Sequence, residues 1–399
     1  MKYKLFITAL CCCIISCVKH NKEISYDKST YFIDLDSIKR ENIFRTSDIF
    51  KKLNVIILEE NDYAILSNIS AMQIYGNNIF ILDSYKVHKL FVFDKITGKY
   101  LRQIGTQGQG SKEYYGISDF CIDTIRKEIY LFDPAKKKIH KHNIETGEYI
   151  AYVNIPKEEI WYRYIAFSNG KLYLNTMYWY PEKNDTRIMG IDIETGEYRG
   201  YISGNKYNLG WNEPSYTMWS FFISKNKYPK YVEEYMNTVF SIEPDTVRPY
   251  LTVKHKDWMT KELLPVENEE DIVIYHSVYA NEQNVACQIH SYIEWGDYIY
   301  FEYKQKLYYP VLYNKKTGET CHYERMMNDL LVTKEHVITT EFLYFNSRAA
   351  YDYVCPIKWD WYNELQPELL ALELDKREEL IKLFSDDTEH IIIFEYEFK

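Results

Sequence analysis

The chain is poor in glycine and proline, with 15 and 11 among 399 residues. That is too little for a disordered, linker-like polypeptide. It has no Cys-x-x-Cys pair, so cysteine spacing suggests no zinc site. It has no basic excess. Lys and Arg number 48 against 58 Asp and Glu, a formal charge of −10, and the basic residues are not pooled on one segment. Nucleic-acid binding is disfavoured on that balance. His-Glu-x-x-His and Gly-x-Ser-x-Gly are both missing, which removes the common zinc-peptidase and hydrolase signatures. Beyond the first residues, no apolar run is long enough to cross a bilayer. What is abundant is tyrosine, 40 residues in all. Tyr favours strands and half-buried sheet faces, so the body of the chain is expected to be β-rich.

Internal repeats set the architecture. "FDKITGKYLRQI" (Phe93–Ile104), "HNIETGEYIAYV" (His142–Val153), "IDIETGEYRGYI" (Ile191–Ile202) and "YNKKTGETCHYE" (Tyr313–Glu324) each read as strand, Thr-Gly turn, strand. The glycine supplies the positive φ that a tight hairpin requires. The first three turn glycines, Gly98, Gly147 and Gly196, recur at equal steps of 49 residues. "FSIEPDTVRPYLTV" (Phe240–Val253), turning at Asp245-Thr246, restores the period before Gly318. The charged stretch Lys254–Val273 then reads as an inserted loop with a short helix. Further alternating strands precede the hairpins, such as Asn77–Ser84 and Lys127–Pro134, with apolar stretches such as Ile69–Tyr75 and Ile117–Asp123 before those. Four strands in about 49 residues is the period of a β-propeller blade.

Five hairpins mean five blades, and the chain ends supply a sixth. Leu330–Phe345 offers two strands, His390–Phe398 a terminal one and Thr30–Ile38 an N-terminal one. Pairing both ends in one sheet would close the ring and remove an open edge. Leu370, Leu374, Ile381 and Phe384 lie on one helical face, so a helical insertion is expected at about residues 360–385. The fold class is therefore all-β: a six-bladed β-propeller of four-stranded blades, closed by its N- and C-terminal strands.

The first residues read as targeting, not fold. Lys2 and Lys4 precede "LFITALCCCII", an apolar run too short for a stable spanning helix. Ile14-Ile15-Ser16-Cys17 then resembles a bacterial lipoprotein signal. The resemblance implies cleavage before Cys17 and a diacylglycerol on its thiol. A plain secretory signal and an anchor helix are the alternatives. The expected division is a signal peptide at 1–16, a flexible tether at 17–29 and a single propeller domain at 30–399. No Asp follows Cys17, which points to the outer rather than the inner membrane. Cys121, Cys287, Cys321 and Cys355 remain in the body, as thiols or as disulfides.

Nearly the whole mature chain resembles the six-bladed β-propeller lipoproteins of Bacteroidetes-type bacteria, which are related to NHL-repeat propellers. Members often carry Gly-x-Gly-Pro-Gly-Glu-Tyr after the first blade. Here the stretch is Gly108-Gln109-Gly110-Ser111-Lys112-Glu113-Tyr114, with Ser111 and Lys112 in place of Pro and Gly. "ISDFCID" and the closing "DDTEHIIIFEYEF" also match the family pattern. The resemblance implies a fold and a periplasmic or surface location linked to nutrient capture, and marks no activity.

Few stretches suggest chemistry. Gly105, Gly108 and Gly110 lie near Ser111-Lys112, but the order is wrong for a Walker loop and strand-like alternation follows where a helix should begin. An inter-blade crossover is the better reading, and no nucleotide is expected. His140 and His142 share one strand face, but no third ligand is visible, so a solvated strand is expected and no metal. Glu269-Glu270-Asp271 and Asp386-Asp387 fall in loops and nominate no glycosidase dyad. Aromatic–polar runs between blades two and four are more informative, because propeller ligands sit at the channel mouth. Tyr162, Arg163, Tyr178, Trp179, Arg187, Trp211 and Trp219 are the candidate ligand-binding residues. Packing between blades also consumes Trp and Tyr. The expected function is a lipid-anchored envelope propeller that binds a glycan, peptide or protein partner, without cofactor. A glycan hydrolase or lyase using channel-facing His, Tyr or carboxylates is the alternative.

Overall fold

The computed structural model describes residues 29–155, 162–176, 178–179, 186–203, 215–216, 221–223, 228–233, 236–259, 282–331, 342–354 and 390–399. Six sheets form the blades of a propeller. Blade one runs outward through Ala71–Tyr75, Asn78–Asp83, Lys89–Asp94 and Tyr100–Ile104. Blade two repeats this with Asp119–Asp123, Glu128–Asp133, Lys138–Asn143 and Tyr149–Asn154. Blade three uses Tyr162–Ser168, Lys171–Thr176, Thr186–Asp192 and Tyr198–Ser203. Phe221–Ile223 to Thr246–Lys254 make blade four, and Gln288–Trp295 to Thr320–Met327 make blade five.

The Thr-Gly hairpins share one device. An Asp or Asn four residues before the glycine accepts, through its Oδ1, the backbone amides two and three positions on: Asp94, Asn143, Asp192 and Asn314. The glycine amide then returns to that residue's carbonyl at 2.8–3.0 Å. Each of the four glycines has φ between +71° and +78°, a region that costs an L-residue strain. In blade four Asp245 takes the left-handed position instead, at φ +60°.

The core is a set of layers between neighbouring sheets. Ile79 and Ile81 face blade six, where Tyr351, Tyr353 and Ile393 meet them. Their strand neighbours Phe80 and Leu82 face blade two and pack on Phe120, Ile122 and Leu131. Successive side chains of a strand point to opposite faces, and here both faces are covered. This explains why the second strands are almost continuously apolar rather than alternating. Four buried tyrosines satisfy their hydroxyls locally. Tyr130, Tyr231, Tyr292 and Tyr300 donate to Glu128, Glu233, Glu294 and Glu302, each two residues away on the same strand face, at 2.7–3.2 Å. A Tyr and a Glu two residues apart, in either order, thus place a large ring in the core at little polar cost.

Ring closure differs from the expected strand. The N-terminal strand that completes blade six is Phe50–Ile57, antiparallel to the terminal strand Ile392–Phe398. Tyr31–Asp34, within the stretch expected to close the ring, instead lies parallel outside blade four, with Tyr31 opposite Leu251. Glu41–Arg45 does the same outside blade five. The chain runs around the perimeter before it enters blade six. On the way it covers two outer strands whose edges would otherwise be open to pairing. The expected helical insertion at 360–385 lies outside the described residues, as do most of Lys254–Val273 and most of Leu330–Phe345.

His140 and His142 are also placed differently from the expected solvated strand. They are 0% and 2% exposed, because the third strand of blade two is covered on both faces. His142 Nδ1 is 3.0 Å from the Gly147 carbonyl, and burial lowers its pKa. Among the described residues no three His, Cys, Asp or Glu side chains come together as a metal site. Cys121, Cys287 and Cys321 are not bridged to one another, while Cys355 lies outside the described residues. Among the described residues no helix is long and apolar enough to cross a membrane.

Candidate functional site

One face of the propeller carries the turns between second and third strands and the crossovers between blades. Two buried aspartates organise it. Asp83 ends the second strand of blade one and accepts the Tyr85 and Lys86 amides through Oδ1. Its Oδ2 accepts the Ser67 hydroxyl at 2.6 Å and the Ser67 amide at 2.9 Å. Asp133 occupies the same position in blade two, accepting the Lys136 amide and, at 2.6 Å, the Tyr115 amide. Burial pushes both carboxyls up, but the hydrogen bonds outweigh it and the net shift is downward in each. Both are therefore ionised ties that hold a turn and a crossover together, and their oxygens are already engaged.

The glycine-rich crossover folds back on itself. The Gly108 amide donates to the Tyr114 carbonyl at 2.8 Å, and the Tyr114 amide to the Thr106 carbonyl at 3.1 Å. The Glu113 carboxylate accepts the Gly110 amide at 2.7 Å. A Cβ on Gly108 would stand 2.1 Å from that carboxylate, so a larger residue there would displace Glu113 from its bond to Gly110. The carbonyls converge on a cation: Lys136 Nζ donates to Gly108, Gly110 and Glu113 oxygens at 3.0, 3.0 and 2.7 Å. This is the reverse of the polarity that a phosphate cradle needs. Gly108, Gly110, Glu113 and the fully buried Tyr114 close the loop. Ser111 and Lys112 form its exposed tip, which explains why other residues are accepted there.

Beside this loop lies a cavity of about 740 Å³. Its walls are the turn at Ser84–His88, the crossover from Gln107 to Ser118, the turn at Pro134-Ala135, and Arg163. It reaches inward to the starts of the inner strands of blades two and three. Tyr85 and Tyr115 are 63% and 55% exposed, and among the described rings only Tyr63 is more so. Gln107 donates its Nε2 to the Tyr115 carbonyl at 3.0 Å, which holds that tyrosine in the wall. His88 has φ +52°, but Lys137 at the matching turn of blade two has φ +51°, so this is turn geometry rather than stored strain. No Asp or Glu is among the described residues that line the cavity.

The candidate residues separate sharply in place. Arg163 lines the cavity. Tyr162, its neighbour, points the other way: it is 4% exposed in the layer between blades two and three, with its hydroxyl 3.4 Å from Met189 Sδ. Arg187 is 2% exposed and donates through Nη1 to Glu233 at 2.7 Å, joining blades three and four. Tyr178–Trp179 form a two-residue strand antiparallel to Ser215–Tyr216. Trp211 and Trp219 lie outside the described residues. Sequence reasoning missed Tyr85, His88, Gln107 and Tyr115. The signal for them was the Asp that ends the second strand of blades one and two, since the residues just after it must form a turn on one common face.

Among solved structures, the chain is similar to an exported protein of Bacteroides fragilis NCTC 9343, with a TM-score of 0.67 and 16% identity over 92% of this chain and 99% of that one. It is also similar to a member of the DUF4221 family from Bacteroides vulgatus ATCC 8482, with a TM-score of 0.52 and 11% identity over 88% and 97%. At such identities the likeness concerns the fold. No curated protein matches the sequence. The family described as "Domain of unknown function (DUF4934)" matches residues 30–394, nearly the whole propeller, and the chain belongs to that family.

Proposed function

We propose that the protein is a lipid-anchored envelope propeller that binds a glycan, without catalysis, in the cavity between the turns of blades one and two. The observation that carries this reading is the pair of exposed rings, Tyr85 and Tyr115, set among hydrogen-bonding side chains. Aromatic faces stack on sugar rings, and amides and hydroxyls read sugar hydroxyls. A glycosidase would need two carboxyl groups across the scissile bond. The described lining offers none, so binding is the better-supported role. The lipoprotein pattern at Ile14–Cys17 supports anchoring through Cys17 on the outer membrane, and the likeness to an exported Bacteroides protein is consistent with it. The wider kinship with NHL-like lipoprotein propellers rests on the Gly108–Tyr114 stretch.

The test is a glycan array probed with the purified full-length chain, repeated with Tyr85→Ala and Tyr115→Ala. Signals that both variants abolish support the site. Signals that survive in both place binding elsewhere. For anchoring, Cys17→Ala should release the protein from membranes, and unchanged retention would defeat that part of the reading.

A further inference from the structure

We infer that the ligand of this cavity is an acidic sugar, whose carboxylate is gripped by Arg163. The inference rests on the glycan reading above and adds the ligand's charge and the residue that selects it.

Arg163 is presented by a β-bulge. The inner strand of blade three, Tyr162–Ser168, shifts register against Lys171–Thr176 between Tyr162 and Ile165, so Arg163 and Tyr164 leave the regular ladder. A bulge can re-aim a side chain, and at this one Arg163 lines the cavity while Tyr162 stays in the core. Three polar side chains from two blades pin the bulge. Ser118 Oγ donates to the Arg163 carbonyl at 2.9 Å, Asn175 Oδ1 accepts the Tyr164 amide at 2.7 Å, and Asp119 Oδ2 accepts the Ile165 amide at 2.9 Å. The inner strand of blade five also shifts register, between His290 and Ile293, but carries no Arg in the shifted segment. The bulge thus recurs in one other blade, and the guanidinium is particular to this site.

The charge around Arg163 is unbalanced. Its guanidinium lies 5.2 Å over the Tyr164 ring and pairs with no carboxylate among the described residues. Asp119 and Asp133 serve backbone amides instead. Arg163 is the one permanently charged group among the described lining residues. A planar guanidinium held from behind is suited to bidentate binding of a carboxylate. An acidic peptide is the competing class. The cavity is walled by turns and a crossover and offers no open strand edge to which a peptide backbone would add, which favours a sugar.

The experiment is calorimetric titration of the full-length chain with galacturonate, glucuronate and mannuronate oligosaccharides, each beside its carboxyl-reduced counterpart. At least one acidic form should bind about tenfold to a hundredfold more tightly than its neutral partner, the range for a charge-assisted contact. Added salt should narrow the gap. Arg163→Gln should close it while keeping the wild-type thermal midpoint, whereas Tyr115→Ala should weaken both forms and leave the gap. Equal binding of acidic and neutral forms, or a preference that persists in Arg163→Gln, overturns the inference and leaves the glycan reading standing. Binding of a peptide carboxylate in place of every sugar overturns both.

Discussion

Lys136→Met isolates what holds the wall of the cavity. Methionine keeps the length of the stem and deletes three hydrogen bonds from one ammonium to the Gly108, Gly110 and Glu113 carbonyls. A hydrogen bond involving a charged group contributes about 1.5–3 kcal/mol net. The three here share a single charge, the loop is partly exposed, and ordering a lysine costs up to about 2 kcal/mol. The loss expected for the loop is therefore about 2–3 kcal/mol, well below the sum of three separate bonds. Tenfold in an equilibrium constant is about 1.4 kcal/mol. Opening of the loop should thus become roughly 30- to 150-fold more frequent. Amide hydrogen exchange reads this directly. The Gly108 amide, bonded to Tyr114, and the Tyr114 amide, bonded to Thr106, should accelerate by that factor. The Gly196 amide, in the hairpin of blade three, should not change. Acceleration of less than about threefold at Gly108 and Tyr114 would refute the claim that the carbonyl cage orders the crossover.

Two further outcomes follow from buried groups. Arg187→Met leaves Glu233 as a buried carboxylate without its guanidinium, and should destabilise the propeller by about 3–5 kcal/mol in urea unfolding. Arg187→Met combined with Glu233→Leu should recover most of that, and a single-variant effect below about 1 kcal/mol would mean that the pair does not join blades three and four as its geometry indicates. His322 is 2% exposed, with Nε2 close to Arg40 and the Tyr303 hydroxyl. Burial first, then Arg40 and His255, lowers its pKa to about 4. A base whose folded pKa lies below its unfolded value is protonated more readily when unfolded, so its contribution is complete above about pH 6.5 and fades as pH falls toward 4. The loss is roughly 3 kcal/mol over that window. His322→Gln should flatten the acid limb of the stability curve between pH 6.5 and 4, and an unaltered limb would show that other groups control it.

The crossover shows how far sequence reasoning reached. Its position seven residues after a hairpin glycine marked it as a passage between blades, because hairpin periodicity is a local property of turn residues. That Lys136 fills it was not legible, since Lys136 lies in the next blade and meets the loop only when two sheets stack. Arg163 and Tyr162 are adjacent and alike in pattern, and both stood as candidates. Successive side chains face opposite ways, and which of the two sides is cavity and which is core is decided only by the packing of the blades. Arg187 illustrates the same limit. An arginine in a strand reads as exposed until its partner Glu233, on another blade, is known.

The closing strand divides along the same line. Phe50–Ile57 has the composition of a strand, yet nothing local distinguishes it from Tyr31–Asp34 as the partner of Ile392–Phe398. By itself the sequence determined the repeat, the hairpins, the number of blades and the all-β class, because each depends on side-chain alternation and turn chemistry within a few residues. The tertiary structure alone decided which N-terminal strand seals the ring, which histidines and arginines are buried, and which side chains gather at the cavity. Those choices depend on contacts between blades, where residues from about twenty to several hundred positions apart settle one another's burial and charge.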